Sequence, residues 1–172
     1  MTFPLVLVIG LLIAQMPSAA GTSNDLFDAV KLGDLARVRQ LIARGVAVDA
    51  VDRRGFTPLL WASAGGNLAV VNQLIESGAT VDARANDGLS ALMLASANGF
   101  TDVARALIRR GANVNAVRDG LTARQLATAR GRPDVAALLE EAERLGGALL
   151  KAAAEGNDTG VRQALPMEHP ST

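Results

Sequence analysis

Histidine, cysteine and tyrosine carry much of the acid–base, nucleophilic and metal chemistry of proteins near neutral pH. This chain of 172 residues has no cysteine, no tyrosine and a single histidine, His169, three residues before the end. A histidine so near a terminus reads as a solvated tail residue. The glycine pairs Gly65-Gly66 and Gly146-Gly147 lack the lysine and hydroxyl that a phosphate-cradling loop needs. Asp49, Asp82 and Asn115 recur at one position of a repeating pattern and could suggest a ladder of cation ligands. Short polar side chains in that setting are read instead as turn stabilisers, bonding their own backbone. Trp61 could anchor a partner, but its place inside a helix beside Ala62 favours packing. No catalytic residue, metal or cofactor is expected, and the chain reads as a non-enzyme.

The elements that must position any binding residues are marked by glycine. Gly33, Gly66, Gly99 and Gly131 form one ladder and Gly45, Gly78 and Gly111 a second, with a period of 33 residues that slips once to 32. A fixed period of this size indicates one supersecondary unit repeated along the chain. Residues 55–84 show the unit whole. Thr57 is placed to cap a helix with Pro58 in its first turn, where the missing N–H costs nothing. That helix ends at Gly65-Gly66. Asn67 then caps a second helix with Val70, Val71, Leu74 and Ile75 on one face, and Gly78 ends it. An extended stretch and a turn at Asn86-Asp87-Gly88 lead into the next unit.

The same chemistry recurs with Ser90, Leu92, Leu94, Val103, Ala104, Leu107 and Ile108. An earlier unit has Asp34 as a cap, and a later one opens its helices at Thr122-Ala123 and Pro133. The slip to 32 locates a connecting finger one residue shorter before Gly120, which is expected to reach less far.

The words Gly55-Phe56-Thr57-Pro58-Leu59-Leu60-Trp61-Ala62 and Gly78-Ala79-Thr80-Val81-Asp82-Ala83 resemble the two diagnostic segments of the ankyrin repeat, as does Gly111-Ala112-Asn113-Val114-Asn115-Ala116. The resemblance covers about residues 24 to 147. It implies an all-α solenoid of stacked helix-turn-helix units with short β-hairpin-like fingers, in units 24–52, 53–85, 86–117 and 118–147. The chain departs from the family where a histidine usually follows the Thr-Pro-Leu word: Leu60, Met93 and Gln125 stand there, so a polar tie to the preceding turn is lost. Residues 148–165 echo the first unit, with Gly156 answering Gly33, and read as a partial fifth repeat or C-terminal cap. Residues 166–172 are expected to form a disordered tail.

Composition bounds the function. The formal charge is zero with both signs interspersed, so the one-sided basic field that nucleic acid requires is missing. Residues 5–14 form an almost unbroken apolar run, followed by Pro17 and Ser18-Ala19-Ala20. This reads as a signal peptide over residues 1–20, cut near Ala20, although its start carries only the terminal amine as positive charge. Together with a preference for arginine over lysine, it points to a bacterial periplasmic or secreted protein. An uncleaved segment anchoring the chain in the inner membrane is the alternative.

The resemblance also implies where a partner would dock. Phe56, Leu89 and Leu121 follow the turn glycines on the concave side, where they would form an apolar stripe or pack between neighbouring fingers. Arg53, Arg54, Asn86, Asp87, Arg118 and Asp119 would lie at the finger tips. Ala64, Gly65, Ala97, Asn98, Ala129 and Arg130 would end the first helices. The expected function is protein binding by a monomer, with no nucleic acid and no small-molecule substrate. A protective partner of a periplasmic enzyme, a toxin-blocking immunity protein and a membrane-tethered scaffold are the roles that fit.

Overall fold

A computed structural model describes residues 22–154, with side chains as far as Gly146. The expected leader, most of the partial fifth unit, the tail and His169 lie outside the described residues.

Eight helices, counted among the described residues, follow one another as antiparallel pairs. They are α1 (Ser23–Leu32) and α2 (Leu35–Ala43), α3 (Pro58–Gly65) and α4 (Leu68–Glu76), α5 (Ala91–Asn98) and α6 (Thr101–Arg109), and α7 (Ala123–Ala129) and α8 (Pro133–Ala154). The first helices α1, α3, α5 and α7 stack on one another, and the second helices α2, α4, α6 and α8 form a parallel layer behind them.

Sequence chemistry accounts for the boundaries. The hydroxyls of Thr57, Ser90 and Thr122 accept from the N–H of Leu60, Met93 and Gln125, and Pro58 sits in the first turn of α3. Gln125 returns a bond to the Thr122 N–H, closing a capping box. α1 starts with the same device, made by Thr22 and Asp25. Gly33, Gly66 and Gly99 close α1, α3 and α5 in the left-handed conformation, with φ of 71°, 73° and 83°. Asp34 caps α2 as its type demands, accepting from Arg37 N–H at 2.9 Å. Asn67 occupies the equivalent N-cap of α4 but makes no side-chain cap bond. Its amide lies instead beside Gly33, where a Cβ would come within 3.1 Å of the Asn67 Oδ1.

The core lies between the two layers. The short first helices bury residues on most of their circumference: Leu59, Leu60, Ala62 and Ser63 in α3, and Leu92, Met93, Ala95 and Ser96 in α5. Small residues let these helices approach closely, and the second helices add one apolar stripe each, through Val38 and Leu41, Val70, Val71 and Leu74, and Val103, Ala104 and Leu107. Each fully buried leucine contributes roughly 1.5–3 kcal/mol of apolar burial. Leu60 and Met93, at the positions of the missing family histidine, are fully buried and exchange a polar tie for apolar contact.

Three fingers join the pairs. In the first, Asp52 N–H donates to Phe56 O at 3.1 Å, leaving a three-residue loop of Arg53, Arg54 and Gly55. The second repeats this between Ala85 and Leu89, 3.0 Å, with an antiparallel bridge from Arg84 to Ser90. The third closes differently. Strands β1 (Val117–Arg118) and β2 (Leu121–Thr122) pair antiparallel across a two-residue loop, Asp119-Gly120. Both loop residues have positive φ, 50° and 77°. That is the type I′ geometry that matches strand twist, and Asp-Gly is one of its preferred pairs. The one-residue slip in the glycine ladder is therefore taken out of the loop itself.

Two further features differ from expectation. Asp49 does not bond its own turn: its carboxylate accepts from the Thr80 N–H at 3.0 Å and the Thr80 hydroxyl at 2.6 Å, in the next unit. Asp82 likewise accepts from the Asn113 N–H at 2.9 Å. The recurring acid is a tie between units. Helix α8 runs without interruption from Pro133 to Ala154, through the boundary expected at Gly146-Gly147. Glycine ends a helix when the chain turns left-handed, and here it is carried within the helix at its usual cost of about 1 kcal/mol.

Candidate protein-docking face

Fingers and first helices share one face of the stack, and there the expected binding residues separate into groups. Arg53, Arg54, Phe56, Asn86 and Asp87 come together around a depression of about 310 Å³ between the first and second fingers. Leu89, Leu121, Asn98, Arg118, Asp119 and Arg130 do not line it.

The expected apolar stripe is not a uniform surface. Phe56 is only 3 % exposed, Leu89 is half-buried against the core, and Leu121 is 42 % exposed. Phe56 is covered because Trp61 packs on it, with ring centroids 5.0 Å apart, and the Arg54 guanidinium lies 4.6 Å from its ring centre. Of the three, Leu121 is the side chain left open, beside a short paired hairpin that offers it no aromatic cover. Phe56 therefore supports the face from below.

Several charged or polar tips are engaged between fingers. Asn86 N–H donates to Arg54 O at 3.0 Å and its side-chain amide to Arg53 O at 3.3 Å. Arg118 Nε donates to Asp87 O at 2.8 Å, and its guanidinium lies 3.9 Å from the Asp87 carboxylate and 3.4 Å from that of Asp119. Asp87 also accepts from the Leu89 N–H at 3.2 Å. Asn98, at the end of α5, donates to Ala64 O at the end of α3, 3.0 Å away. Arg130 is exposed, and its backbone N–H closes the last turn of α7. Ala64 and Ala97 are half-buried, while Gly65 and Ala129 are exposed. Asn86, Arg118 and Asn98 thus hold the face together.

Under and beside Arg54 lie Asp52 and Lys31, which are outside the expected set, and Trp61, whose expected packing role is seen in its contact with Phe56. Trp61 is half-buried, and its indole N–H donates to Asp52 Oδ2 at 3.0 Å. The other oxygen of Asp52 accepts from the N–H of Arg54 at 2.8 Å and of Phe56 at 2.9 Å. Partial burial of this carboxyl opposes its ionisation, but the bonds from Phe56, Arg54 and Trp61 and the charge of Arg54 outweigh it and hold its pKa below the ordinary 3.8. The Lys31 ammonium stands 4.5 Å from the centre of the indole, and the Arg54 guanidinium 5.8 Å. Comparison of the units with one another could have found this group. At the Trp61 position the next two units have Leu94 and Leu126; at the Lys31 position all three later units have alanine.

Among the described residues, no group of three histidine, cysteine or acidic side chains is arranged to hold a metal ion, and no helix is long and apolar enough to cross a membrane. A larger depression, about 380 Å³, lies on the other layer between α4 and α6 and contains none of the expected residues.

A family model described as ankyrin repeats (3 copies) matches residues 26–118 and 78–144. The chain belongs to the ankyrin-repeat family. A comparison with curated proteins finds no match. Ankyrin repeats are protein–protein interaction modules and typically not catalytic, so the partners of this chain are proteins. In ankyrin terms the fingers and first helices described above form the concave side of the stack.

Proposed function

We propose that this ankyrin protein is exported and binds a partner protein in the bacterial periplasm through its concave face and finger tips, shielding a periplasmic enzyme or blocking a toxin. The observation that carries the docking reading is the depression between the first two fingers, lined by Arg53, Arg54, Phe56, Asn86 and Asp87. Its walls are fixed by the bonds from Asn86 to the first finger, so a partner meets a surface already in shape and binding loses little conformational entropy. Export is supported by the apolar run over residues 5–14 and the small residues ending at Ala20.

Affinity capture from the native periplasm tests the docking. Reversing Arg53 and Arg54 to glutamate is expected to weaken capture about tenfold or more, and unchanged capture would remove these tips from the interface. Mass spectrometry of the mature chain tests the export. Gly21 as the first residue is the expected result. An intact N-terminus would favour the tethered scaffold, which rests on the same apolar run.

A further inference from the structure

We infer that the cluster of Lys31, Arg54 and Trp61 takes an acidic segment of the partner protein, whose carboxylates would be drawn to the two cations that flank the indole. This rests on the docking reading above and names the chemistry of its occupant.

Three observations support it. First, the group consists of departures from the repeat. Stacked ankyrin units repeat their scaffold residues from level to level, so side chains that depart from the pattern and meet in one place stand out from the scaffold. Lys31 stands where later units have Ala64, Ala97 and Ala129; Trp61 where they have Leu94 and Leu126; Arg54 where the second finger has Asp87; and Asp52 where that finger has Ala85. These four departures touch one another.

Second, the charges are unequally compensated. The acids of the second and third fingers, Asp87 and Asp119, share Arg118, at 3.9 Å and 3.4 Å, and a second cation, Arg84, donates to Gly88 O and Val117 O across the same two fingers, so two acids face two arginines. In the first finger the sole carboxylate is that of Asp52, whose oxygens are taken up by the N–H groups of Arg54, Phe56 and Trp61. Among the described residues Lys31 and Arg53 form no ion pair, and the Lys31 ammonium lies over the face of the indole. The face therefore presents net positive charge at its first finger and balanced charge at the other two, which is complementary to an acidic stretch and unfavourable to a basic one.

Third, the aromatic platform is pre-set. Trp61 is fixed by Asp52 and by Phe56 beneath it, and a half-exposed tryptophan held in this way is the kind of residue that concentrates binding energy.

Trp61 is the only tryptophan in the chain, so its emission reports on this cluster alone. The test titrates the full chain with an oligoglutamate peptide, with oligolysine as the control. The expected result is a saturable change in emission that weakens steeply with salt, together with no saturable response to oligolysine. The double variant Lys31→Gln, Arg54→Gln should bind about tenfold more weakly while keeping the wild-type circular dichroism. Lys31→Gln alone, which leaves the Asp52 and Arg54 contacts in place, should show part of that loss. No saturable response to oligoglutamate, an equal response to oligolysine, or equal affinity in both variants would overturn the assignment. If oligoglutamate fails while Arg53 and Arg54 reversal still weakens partner capture, the acidic occupant is wrong and the docking face stands. If both fail, the docking face falls as well.

Discussion

The first and third fingers occupy equivalent places in the ankyrin stack and are closed by different means. The first has a three-residue loop with one closing backbone bond, from Asp52 N–H to Phe56 O, and is held further by the Asp52 side chain, which accepts from two backbone N–H groups and the Trp61 indole. The third has a two-residue loop and closes by backbone pairing, Val117 with Thr122 and Arg118 with Leu121. One residue of loop length separates them. The counterparts Phe56 and Leu121 differ accordingly, at 3 % and 42 % exposure, while the equivalent valines Val51 and Val117 are open in both fingers. A finger closed by a side chain gathers aromatic and cationic groups around that side chain. The difference places the specific chemistry at the N-terminal end of the face.

The largest test of this contrast is steric. Gly55 has φ of 73°, and a Cβ there would lie 2.9 Å from the Asn86 backbone nitrogen, so Gly55→Ala must both strain the turn and push the second finger away. It should lose about 2–4 kcal/mol in urea unfolding. Gly120, with φ of 77°, has nothing within 4 Å of the same position, and Gly120→Ala should lose only the conformational part, about 1–2 kcal/mol. Equal losses would show that the fingers are not tied as described.

Next in size is Asp52→Ala, which unpairs three donors and should cost about 1–3 kcal/mol with a shift in Trp61 emission. The acid limb of stability should change with it. The Asp52 pKa is depressed on folding, so its contribution is present above the ordinary value of 3.8 and is lost as pH falls through the lower folded value. Unfolding followed below pH 3.8 should therefore be less steeply pH-dependent in Asp52→Ala than in the wild type. A matching acid limb would show that Asp52 does not close the first finger.

The smallest effect belongs to the third finger. Asp119 holds φ of 50°, where asparagine is at least as well suited, and its exposed ion pair with Arg118 is worth little. Asp119→Asn should stabilise by about 0.5 kcal/mol or less, read from the thermal midpoint. A clear loss would mean that the ion pair, and not the turn, sets this finger.

Local chemistry was legible in the sequence and contact across units was not. Thr57-Pro58, Ser90, Thr122-Ala123 and the two glycine ladders mark helix ends because caps act within a few residues. The shortened loop could be located for the same reason. For Phe56 the sequence leaves a stripe and packing between fingers equally open, because the choice depends on Trp61 and Arg54 packing over it, which no periodicity encodes. Asp49 reads from the sequence as a local turn residue because its partner, Thr80, lies 31 positions away. Gly146 looked like a boundary because glycine permits a stop without enforcing one.

The central claim is that docking is concentrated at the first finger, and exchanging its special residues for those of the sibling units tests it most directly. The variant Lys31→Ala, Arg54→Asp, Trp61→Leu carries the residues already present at Ala64, Asp87 and Leu94, so the stack is expected to keep its helical content. Its partner capture should fall by about 100-fold or more, while Leu121→Asp at the third finger should cost about tenfold or less. A folded triple variant that captures its partner as well as the wild type would contradict the account.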